Sequence, residues 1–426
     1  MSNPKSAQTN TGQRSVLRVI RGTAFGMMLL FLIWSAASAG YASLLSTYAA
    51  RSLRLDAADA SVSLNPDAQN HLIRGAVHQA RGDLSKAVAD YSRAAMLRPD
   101  DYIIWLNLAH ARELSGDREN AIAAASHAVG LAPHYAKPHW QLGNLLLRAG
   151  RLEGAYGELR LAGSRNPALL PAFIDLVWQL SNGNTEFVTA AVAPHETNAY
   201  KELANYFRKR GKHEEAIFLF RDAARANEGN LVGGRREYLA QLLAAKQYAH
   251  AHSLWEISHP PARYSSFMHD PGFESESDLD EPGFGWRAAE KSGEVTLSLD
   301  SSEPASGQFS LKVSFNGHSE PAQAVVSQLV RVLPRTNYRL TFAARTSEIL
   351  SGSLPSIAVS DEGAGQVLTE SDPFPQTTGA WRDYQLEFTT GDNTEAIRIS
   401  LQRKPCNAPC PIFGRLWLDS FSLQNF

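Results

Sequence analysis

Residues 102–135 read YIIWLNLAHARELSGDRENAIAAASHAVGLAPHY, and this stretch decides the architecture of the middle of the chain. A proline stands near its end, and a proline recurs at the same place in the stretches before and after it. The three prolines, spaced by 34 residues, are Pro99, Pro133 and Pro167. This spacing divides the chain into three tandem units of equal length, 68–101, 102–135 and 136–169.

Small residues at fixed positions predict how each unit folds. Three sets of equivalent positions are Gly75, Ala109 and Gly143; Gly82, Gly116 and Gly150; and Ala87, Ala121 and Ala155. The first and third sets let two antiparallel helices approach closely, and the middle glycines support a left-handed turn between them. The prolines end the second helix. One pair cannot bury its own apolar face, so consecutive pairs are expected to stack into a solenoid.

The pattern resembles the tetratricopeptide-repeat family, which implies an α-solenoid with a concave, peptide-binding surface lined by the first helix of each pair. A weaker unit starts at residue 170, a clear one covers 197–230, and a weaker one covers 232–258. The tail of a further unit precedes Pro66. The solenoid is therefore predicted to cover residues 47–258.

The resemblance also implies a protein- or peptide-binding groove. Its predicted lining residues are His110, Glu113, Trp140, Asn144, Arg148, Lys201, Asn205 and Arg208. Lys201 and Asn205 match the first half of a Lys-x-x-x-Asn clamp that some relatives use for a C-terminal carboxylate, but the second half is not evident. The alternative is that these side chains form an ordinary solvated helix face.

The N-terminus predicts a membrane segment. Residues 1–21 contain four basic residues and no acidic one, and residues 22–46 contain no charged side chain. A stretch of about 20 apolar residues spans a bilayer as a helix, and flanking positive charge stays in the cytoplasm. We therefore expect a single-pass anchor in a bacterial inner membrane, with the bulk of the chain in the periplasm. A signal peptide cleaved after Ala39 is the alternative.

The last third of the chain changes to a period of two. Loop-forming residues dominate 259–290, a predicted linker and loop, and the alternating runs belong to a domain over 265–426. Those runs begin at Phe309, Tyr338, Tyr384, Ile397 and Trp417. About eight short strands predict an antiparallel β-sandwich, or jelly roll, so the chain as a whole is a multidomain α + β protein.

This domain resembles the galactose-binding-like jelly-roll carbohydrate-binding modules. The resemblance rests on the order of GFES at 272–275, GFGW ending at Trp286, TGAWRDYQLEFTT at 378–390 and RLWLDSFSL at 415–423. It implies a structural calcium between Glu274 and Asp419, whose oxygen ligands suit that ion. It also implies exposed aromatic rings that stack on sugars, for which the candidates are Trp286, Phe374, Trp381 and Trp417. Packing inside the domain is the alternative, and it is favoured for Trp286 and Trp417.

The two cysteines, Cys406 and Cys410, stand in the segment KPCNAPCP. Outside the cytoplasm they are expected to form a small disulfide, and a pair of free thiols is the alternative. Two cysteines do not supply the ligands of a structural zinc site.

Composition limits the function. A formal net charge of −2 shows no basic excess for nucleic acid, and 44% hydrophobic residues indicate a folded chain. No phosphate-binding glycine loop, nucleophile elbow or zinc-protease motif occurs. We therefore expect a non-enzymatic scaffold for protein–protein interaction in envelope or exopolysaccharide assembly, with the sandwich as an accessory binding module. The alternative is a carbohydrate-binding protein whose repeats act as a stalk.

Overall fold

The computed structural model describes residues 9–225, 232–260, 267–275, 279, 281–288, 295–317, 321, 323–406 and 410–426. The chain divides into two compact units, Met1–Ala193 and Pro194–Phe426. Part of the predicted basic tail, residues 1–8, lies outside the described residues.

The first unit is helical. Its helices are α1 (Thr9–Ser52), α2 (Leu55–Leu64), α3 (Ala68–Ala80), α4 (Leu84–Leu97), α5 (Tyr102–Leu114), α6 (Arg118–Leu131), α7 (Ala136–Arg148), α8 (Leu152–Arg165), α9 (Leu170–Leu180) and α10 (Thr185–Val192). The pairs α3/α4, α5/α6 and α7/α8 coincide with the three tandem units, so the predicted helix pairs are confirmed.

Close packing within the pairs explains their small residues. A Cβ added to Gly75 would lie 2.9 Å from the Tyr91 ring, and one added to Gly143 would lie 2.8 Å from Leu159 Cγ. Overpacking of this kind costs about 1–3 kcal/mol of folding free energy. The turn glycines Gly82, Gly116 and Gly150 have φ of 82°, 87° and 75°, which is left-handed backbone that favours glycine.

Helix α1 connects an apolar stretch to the solenoid without a break. Its segment Thr23–Ser52 is long and apolar enough to serve as a membrane span or as a signal sequence. Phe25 and Trp34 are exposed, whereas Ala42 and Ala49 are buried where the last turns of α1 pack on α2 and α3. The end of α1 therefore belongs to the core of the repeats.

The stretch after residue 170 lacks the expected alanines but still forms a helix pair. Helix α9 buries Phe173 and Val177, and the shorter α10 buries Val188. The side chain of Asn184 caps α10 by accepting a hydrogen bond from the Phe187 N–H at 2.8 Å.

The second unit combines four helices with ten strands among its described residues. The helices are α11 (Thr197–Lys209), α12 (His213–Arg225), α13 (Val232–Ala244) and α14 (Tyr248–Trp255). The strands are β1 (Trp286–Ala288), β2 (Val295–Asp300), β3 (Ser310–Gly317), β4 (Val326–Arg331), β5 (Asn337–Ser351), β6 (Pro355–Asp361), β7 (Val367–Glu370), β8 (Arg382–Thr389), β9 (Ala396–Arg403) and β10 (Ile412–Asn425).

The strands form the predicted antiparallel sandwich. Sheet I contains β1, β4, β9, β6 and β7 in that order, and sheet II contains β2, β3, β10, β5 and β8. Alternate residues of each strand fill the space between the sheets, as the period of two predicts. The core includes Val313, Tyr338, Phe342, Ile397 and Leu416.

Helix α14 lies against sheet I within the second unit. Its Tyr248 is buried near Glu362 and Arg398, and burial is the main cause that raises the pKa of the Tyr248 hydroxyl. Nearby, the Lys246 ammonium donates to the Gly363 carbonyl at 2.7 Å. Leu329 on β4 points away from the space between the sheets. It is nevertheless buried, because α14 packs against β4.

Candidate functional site

The outer face of sheet II, which points away from the core, is the candidate binding surface. Leu416 and Leu418 point into the core, so Trp417 between them lies on the outer face of β10. Directly opposite it in register stand Lys312 on β3 and Arg345 on β5. Residues opposite each other on adjacent strands share a face, so all three side chains lie on the same surface.

These three residues and Trp381, which precedes β8, form what we call the tryptophan row. The Lys312 Nζ lies 5.7 Å and the Arg345 Cζ 4.5 Å from the centre of the Trp417 ring. The same Arg345 Cζ lies 5.4 Å from the centre of the Trp381 ring. Cations and indoles thus alternate at cation–π distances across three strands.

The end of β2 and the loop after it fix both indoles through hydrogen bonds from their N–H groups. Trp417 Nε1 donates to Asp300 Oδ2 at 2.8 Å, and Trp381 Nε1 donates to the Glu303 carbonyl at 3.0 Å. Hydrogen bonds from Ser302 and Trp417, with the charge of Lys312, hold the pKa of the Asp300 carboxyl well below its usual range. Asp300 is therefore a fixed anion beside Trp417.

The surface around the tryptophan row is polar and open to solvent. Ser298 on β2, Arg415 on β10 and Asp383 on β8 belong to the same face and are exposed. Trp417 itself is covered by its cationic neighbours, whereas Trp381 is half-exposed. The face thus offers one accessible indole beside several hydrogen-bonding groups, which is the composition of a site for a polar ligand with an apolar ring face.

Two of the predicted stacking residues are in the core instead. Trp286 and Phe374 are 1% and 0% exposed, so neither ring can stack on an external sugar. Trp286 packs against Phe273 and Phe421, and Phe374 packs against Phe342 and Tyr384. These two expectations are corrected: both rings fill the space between the sheets.

Glu274 and Asp419 lie close together at one end of the sandwich. A Cβ added to Gly272 would be 3.8 Å from Asp419 Oδ1 and 3.9 Å from Glu274 Oε1, so the two carboxylates flank one point. Glu274 accepts hydrogen bonds from the N–H of Gln308, and Asp419 accepts them from the N–H of Ala305. Burial raises the pKa of the Asp419 carboxyl.

This donor set suits a hard cation but is incomplete in side chains. Its oxygens are those that calcium prefers, yet calcium takes six to eight of them. Among the described residues, no group of three or more His, Cys, Asp or Glu side chains is placed to hold a metal. A calcium ion here would therefore need main-chain carbonyls or water in addition to Glu274 and Asp419.

The predicted groove residues fall in both units. On α5 and α7 of the first unit, Glu113 accepts from Arg148 Nε at 2.5 Å and lies 3.7 Å from His110 Nδ1. Asn144 donates to the carbonyl of half-exposed Trp140 at 2.7 Å. The structure thus brings His110, Glu113 and Arg148 together across two neighbouring repeats, whereas Trp140 and Asn144 contact each other within α7.

Lys201, Asn205 and Arg208 lie on α11 in the second unit. Arg208 hydrogen-bonds to Gln241 on α13, and its Cζ lies 5.6 Å from the centre of the Tyr238 ring. Lys201 is exposed one turn before Asn205.

Cys406 and Cys410 are bonded in a disulfide, with 5.8 Å between their Cα atoms. The buried Arg403 guanidinium donates to the Cys410 carbonyl at 3.2 Å, which ties the disulfide loop to the end of β9. The disulfide therefore closes the connection between β9 and β10.

Sequence reasoning named Trp381 of the candidate face but favoured a buried position for Trp417, because it placed Trp417 in phase with Phe421 and Leu423. The pairing of β10 with β5 shifts between Asp419 and Ser422, and Ser420 has φ of 55°. The extra residue of this β-bulge reverses which side chains point inward. The signal available in the sequence was the Leu-Trp-Leu run at 416–418, whose leucines mark the buried face.

Two protein-family models match the chain. The model described as "Carbohydrate binding domain" matches residues 268–408, and the "Tetratricopeptide repeat" model matches residues 102–135. The first match contains most of the sandwich, and the second coincides with α5 and α6.

Individual proteins show more limited similarity. A TPR repeat-containing thioredoxin, TTL4 of Arabidopsis thaliana, is 36% identical over 89 residues, which is 21% of this chain and 13% of that protein's length. The chain thus spans only a small part of this curated relative. The solved structure of MamA protein is 20% identical with a TM-score of 0.27, covering 38% of this chain and 92% of that one.

A second solved structure, TmCBM61 in complex with beta-1,4-galactotriose, is 21% identical with a TM-score of 0.27. The similarity covers 38% of this chain and all of the TmCBM61 chain, 100%. The family models and the architecture above together show tetratricopeptide repeats followed by a β-sandwich that matches a carbohydrate-binding domain.

Proposed function

We propose that this protein is a membrane-anchored scaffold whose repeats bind a partner polypeptide and whose sandwich binds a glycan on the outer face of sheet II. Both kinds of domain are non-catalytic, so the proposed activity is binding. The observation that carries the proposal is the tryptophan row: an open sheet face with a half-exposed indole set among fixed hydrogen-bonding groups.

The tryptophan row suits a sugar for chemical reasons. A pyranose presents an apolar ring face, which packs on an indole, and a rim of hydroxyl groups, which pair with charged and polar side chains. Trp381 supplies the indole, and its neighbours Arg345 and Glu303 supply a donor and an acceptor. Because the Trp381 N–H is held by the Glu303 carbonyl, its ring is oriented before a ligand arrives.

The surface of the repeats favours the binding of a partner protein. Leu114 at the end of α5 is exposed and follows Glu113, which pairs with Arg148, and Ile103 is exposed at the start of the same helix. Exposed apolar side chains beside charged ones suit a polypeptide, which presents both kinds of group.

The membrane role rests on α1. An uncleaved Thr23–Ser52 helix would hold the repeats at the membrane surface, because its last turns are part of their core. A bacterial inner membrane, a periplasmic location and a role in envelope or exopolysaccharide assembly extend this proposal. We also propose calcium at Glu274 and Asp419 as a structural ion.

The glycan function is tested with the purified full-length chain in detergent micelles. Binding to β-1,4-galactan, β-glucan, xylan and polygalacturonate is compared for the parent chain, Trp381→Ala and the control Tyr135→Ala, which removes an exposed ring of the first unit. The proposal expects binding to at least one glycan, a loss of at least tenfold in Trp381→Ala and no change in the control. It is rejected by an absence of binding, or by equal binding in all three chains with unchanged circular dichroism.

The runner-up function is a carbohydrate-binding protein in which the repeats are only a stalk. Membranes of the source cell are passed over the parent chain and over a variant with Trp140, Asn144 and Arg148 changed to alanine. A protein retained by the parent and lost by the variant favours the scaffold. Identical retention by both, together with glycan binding, favours the stalk.

A further inference from the structure

One cation of the tryptophan row, Arg345, is largely buried, whereas the carboxylate that pairs with it, Glu303, is exposed. The Arg345 side chain is 13% exposed between two indoles, whereas the Glu303 side chain with which it pairs is 74% exposed. We infer that this face takes an acidic glycan, one that carries carboxylate groups, and that a ligand carboxylate replaces Glu303 at Arg345. The inference rests on the proposed glycan function and narrows its ligand class.

Three cations surround the Trp417 ring. Lys312, Arg345 and Arg415 approach its ring to within 5.7, 4.5 and 5.9 Å. Asp300 is the counter-charge that the structure holds in place, since its side chain is 16% exposed and accepts hydrogen bonds from Trp417 and Ser302.

The other carboxylates near these cations are weakly held. Glu303 and Asp383 are exposed, and Glu348, which lies 3.9 Å from Arg415, has an 80% exposed side chain. Exposed ion pairs contribute little free energy, so water and salt replace such carboxylates readily. Lys312 and Arg345 are held more firmly than these carboxylates, and with Asp300 as their fixed counter-charge they leave a positive excess that attracts an anionic ligand.

The chemistry of Arg345 favours a carboxylate in particular. A guanidinium is planar and presents paired N–H groups that match the two oxygens of a carboxylate. Glu303 engages Nη1, whereas the buried Nε has no hydrogen-bond acceptor among the described residues. A ligand carboxylate that displaces Glu303 would find the guanidinium already desolvated and oriented by the two indoles.

Glu303 has two separate roles that a substitution can divide. Its main-chain carbonyl accepts the hydrogen bond from the Trp381 N–H, and its side-chain carboxylate forms an ion pair with Arg345. Glu303→Gln removes the negative charge but keeps the carbonyl, so the accessible indole stays in place. This variant should free Arg345 for a ligand and raise the affinity for acidic glycans only.

The test uses the full-length chain in detergent micelles and two probes, hexagalacturonate and its fully methyl-esterified form, which differ in carboxylate charge. The parent chain is expected to bind the acid at least tenfold more tightly than the ester, and Arg345→Met to lose that preference. Glu303→Gln is expected to bind the acid several-fold more tightly than the parent does. The control Arg335→Met removes a 74% exposed arginine elsewhere on the sandwich and should change neither affinity.

The outcomes separate the two proposals. Equal binding of both probes overturns the acidic preference but leaves glycan binding intact, as does binding of only neutral glycans. Failure to bind hexagalacturonate or any other glycan rejects both proposals. If Arg345→Met does not fold, Glu303→Gln decides alone, and unchanged or weaker binding of the acid by this variant overturns the role assigned to Glu303.

Discussion

The indole of Trp255 occupies the space that a side chain at Gly283 would need. A Cβ on Gly283 would lie 2.3 Å from both Cδ1 and Nε1 of that ring, and Gly283 has φ of 151°, in the region that favours glycine. Trp255 ends α14, and Gly283 precedes β1. This contact fastens the last helix to the sandwich within the second unit.

Gly283→Ala is therefore expected to destabilise the second unit by about 1–3 kcal/mol, because the methyl group meets the indole and the backbone becomes strained. Chemical denaturation of the full chain measures the loss. Trp255→Ala should cost about 3–5 kcal/mol by removing a large buried ring. The double variant should cost less than the sum, since the smaller residue 255 makes room for the methyl group. Additive costs would show that the two residues are not coupled.

The repeats were predictable from sequence because their packing is local. Gly75 contacts Tyr91 and Gly143 contacts Leu159, each only 16 residues apart, so a fixed spacing records the contact. The strands of the sandwich were predictable for a similar reason, since alternation along one strand reports burial.

The candidate site was less predictable because it depends on distant contacts. The tryptophan row joins residues on β3, β5 and β10 with Trp381, and no spacing in the sequence relates them. The contact of α14 with the sandwich likewise joins Trp255 to Gly283 across a segment with no regular pattern. The β-bulge after Asp419 also reverses which residues of β10 point inward, so a single alternation along this strand gave the wrong face for Trp417.

Acid is expected to weaken the second unit through His252 and His269. Burial is the largest cause that lowers the pKa of each imidazole, and the charges of Arg331 and His259 add to it. As the pH falls below about 6.5, the ordinary histidine pKa, these two imidazoles bind protons in the unfolded chain but bind fewer in the folded chain. Stability is therefore present above that pH and is lost progressively as the pH falls toward the lower pKa values of the folded state.

The measurement is the midpoint of thermal unfolding between pH 7.5 and pH 5.5, where each kcal/mol lost lowers the midpoint by roughly 2–4 °C for a unit of this size. His252→Gln and His269→Gln should each flatten the dependence on pH. The control His134→Gln changes an exposed histidine of the first unit and should leave it unaltered. An equally steep dependence in all variants would contradict the assignment.

Calcium is expected to raise the midpoint of unfolding of the second unit, because a cation at Glu274 and Asp419 would offset the cost of burying the Asp419 carboxylate. The parent chain is melted in 1 mM calcium, in magnesium and in a chelator, each compared with Asp419→Asn and with the control Asp392→Asn on an exposed ion pair. The shift should appear only with calcium and vanish in Asp419→Asn. Identical curves in all solutions would reject the ion.

Two neighbouring repeats fill one equivalent position with different pairs of side chains. In the third repeat, His139 Nδ1 lies 2.6 Å from Glu158 Oε2, and its Nε2 lies 3.0 Å from the Pro133 carbonyl. In the second repeat, the equivalent residues are Trp105 and Ala124, and Trp105 Nε1 donates to the Pro99 carbonyl at 2.7 Å. An indole beside an alanine therefore makes the same hydrogen bond as an imidazole beside a carboxylate.

Exchanging His139 and Glu158 together for the equivalent residues of the second repeat should therefore preserve the fold of the third repeat. Exchanging His139 alone should destabilise it. His139→Ala is expected to cost about 1–3 kcal/mol, since Glu158 and the Pro133 carbonyl both lose a buried partner. His139→Trp alone forces the indole against Glu158, and Glu158→Ala removes that obstacle. The double variant His139→Trp/Glu158→Ala should therefore lie closer to the parent than His139→Trp does. Denaturation of the parent, His139→Trp, Glu158→Ala and the double variant, with hydrogen exchange in α7 and α8, measures the coupling free energy between positions 139 and 158. We expect a coupling of about 0.5–3 kcal/mol if the two pairs are equivalent. A coupling near zero would show that the residue at position 158 does not determine which residue position 139 accepts.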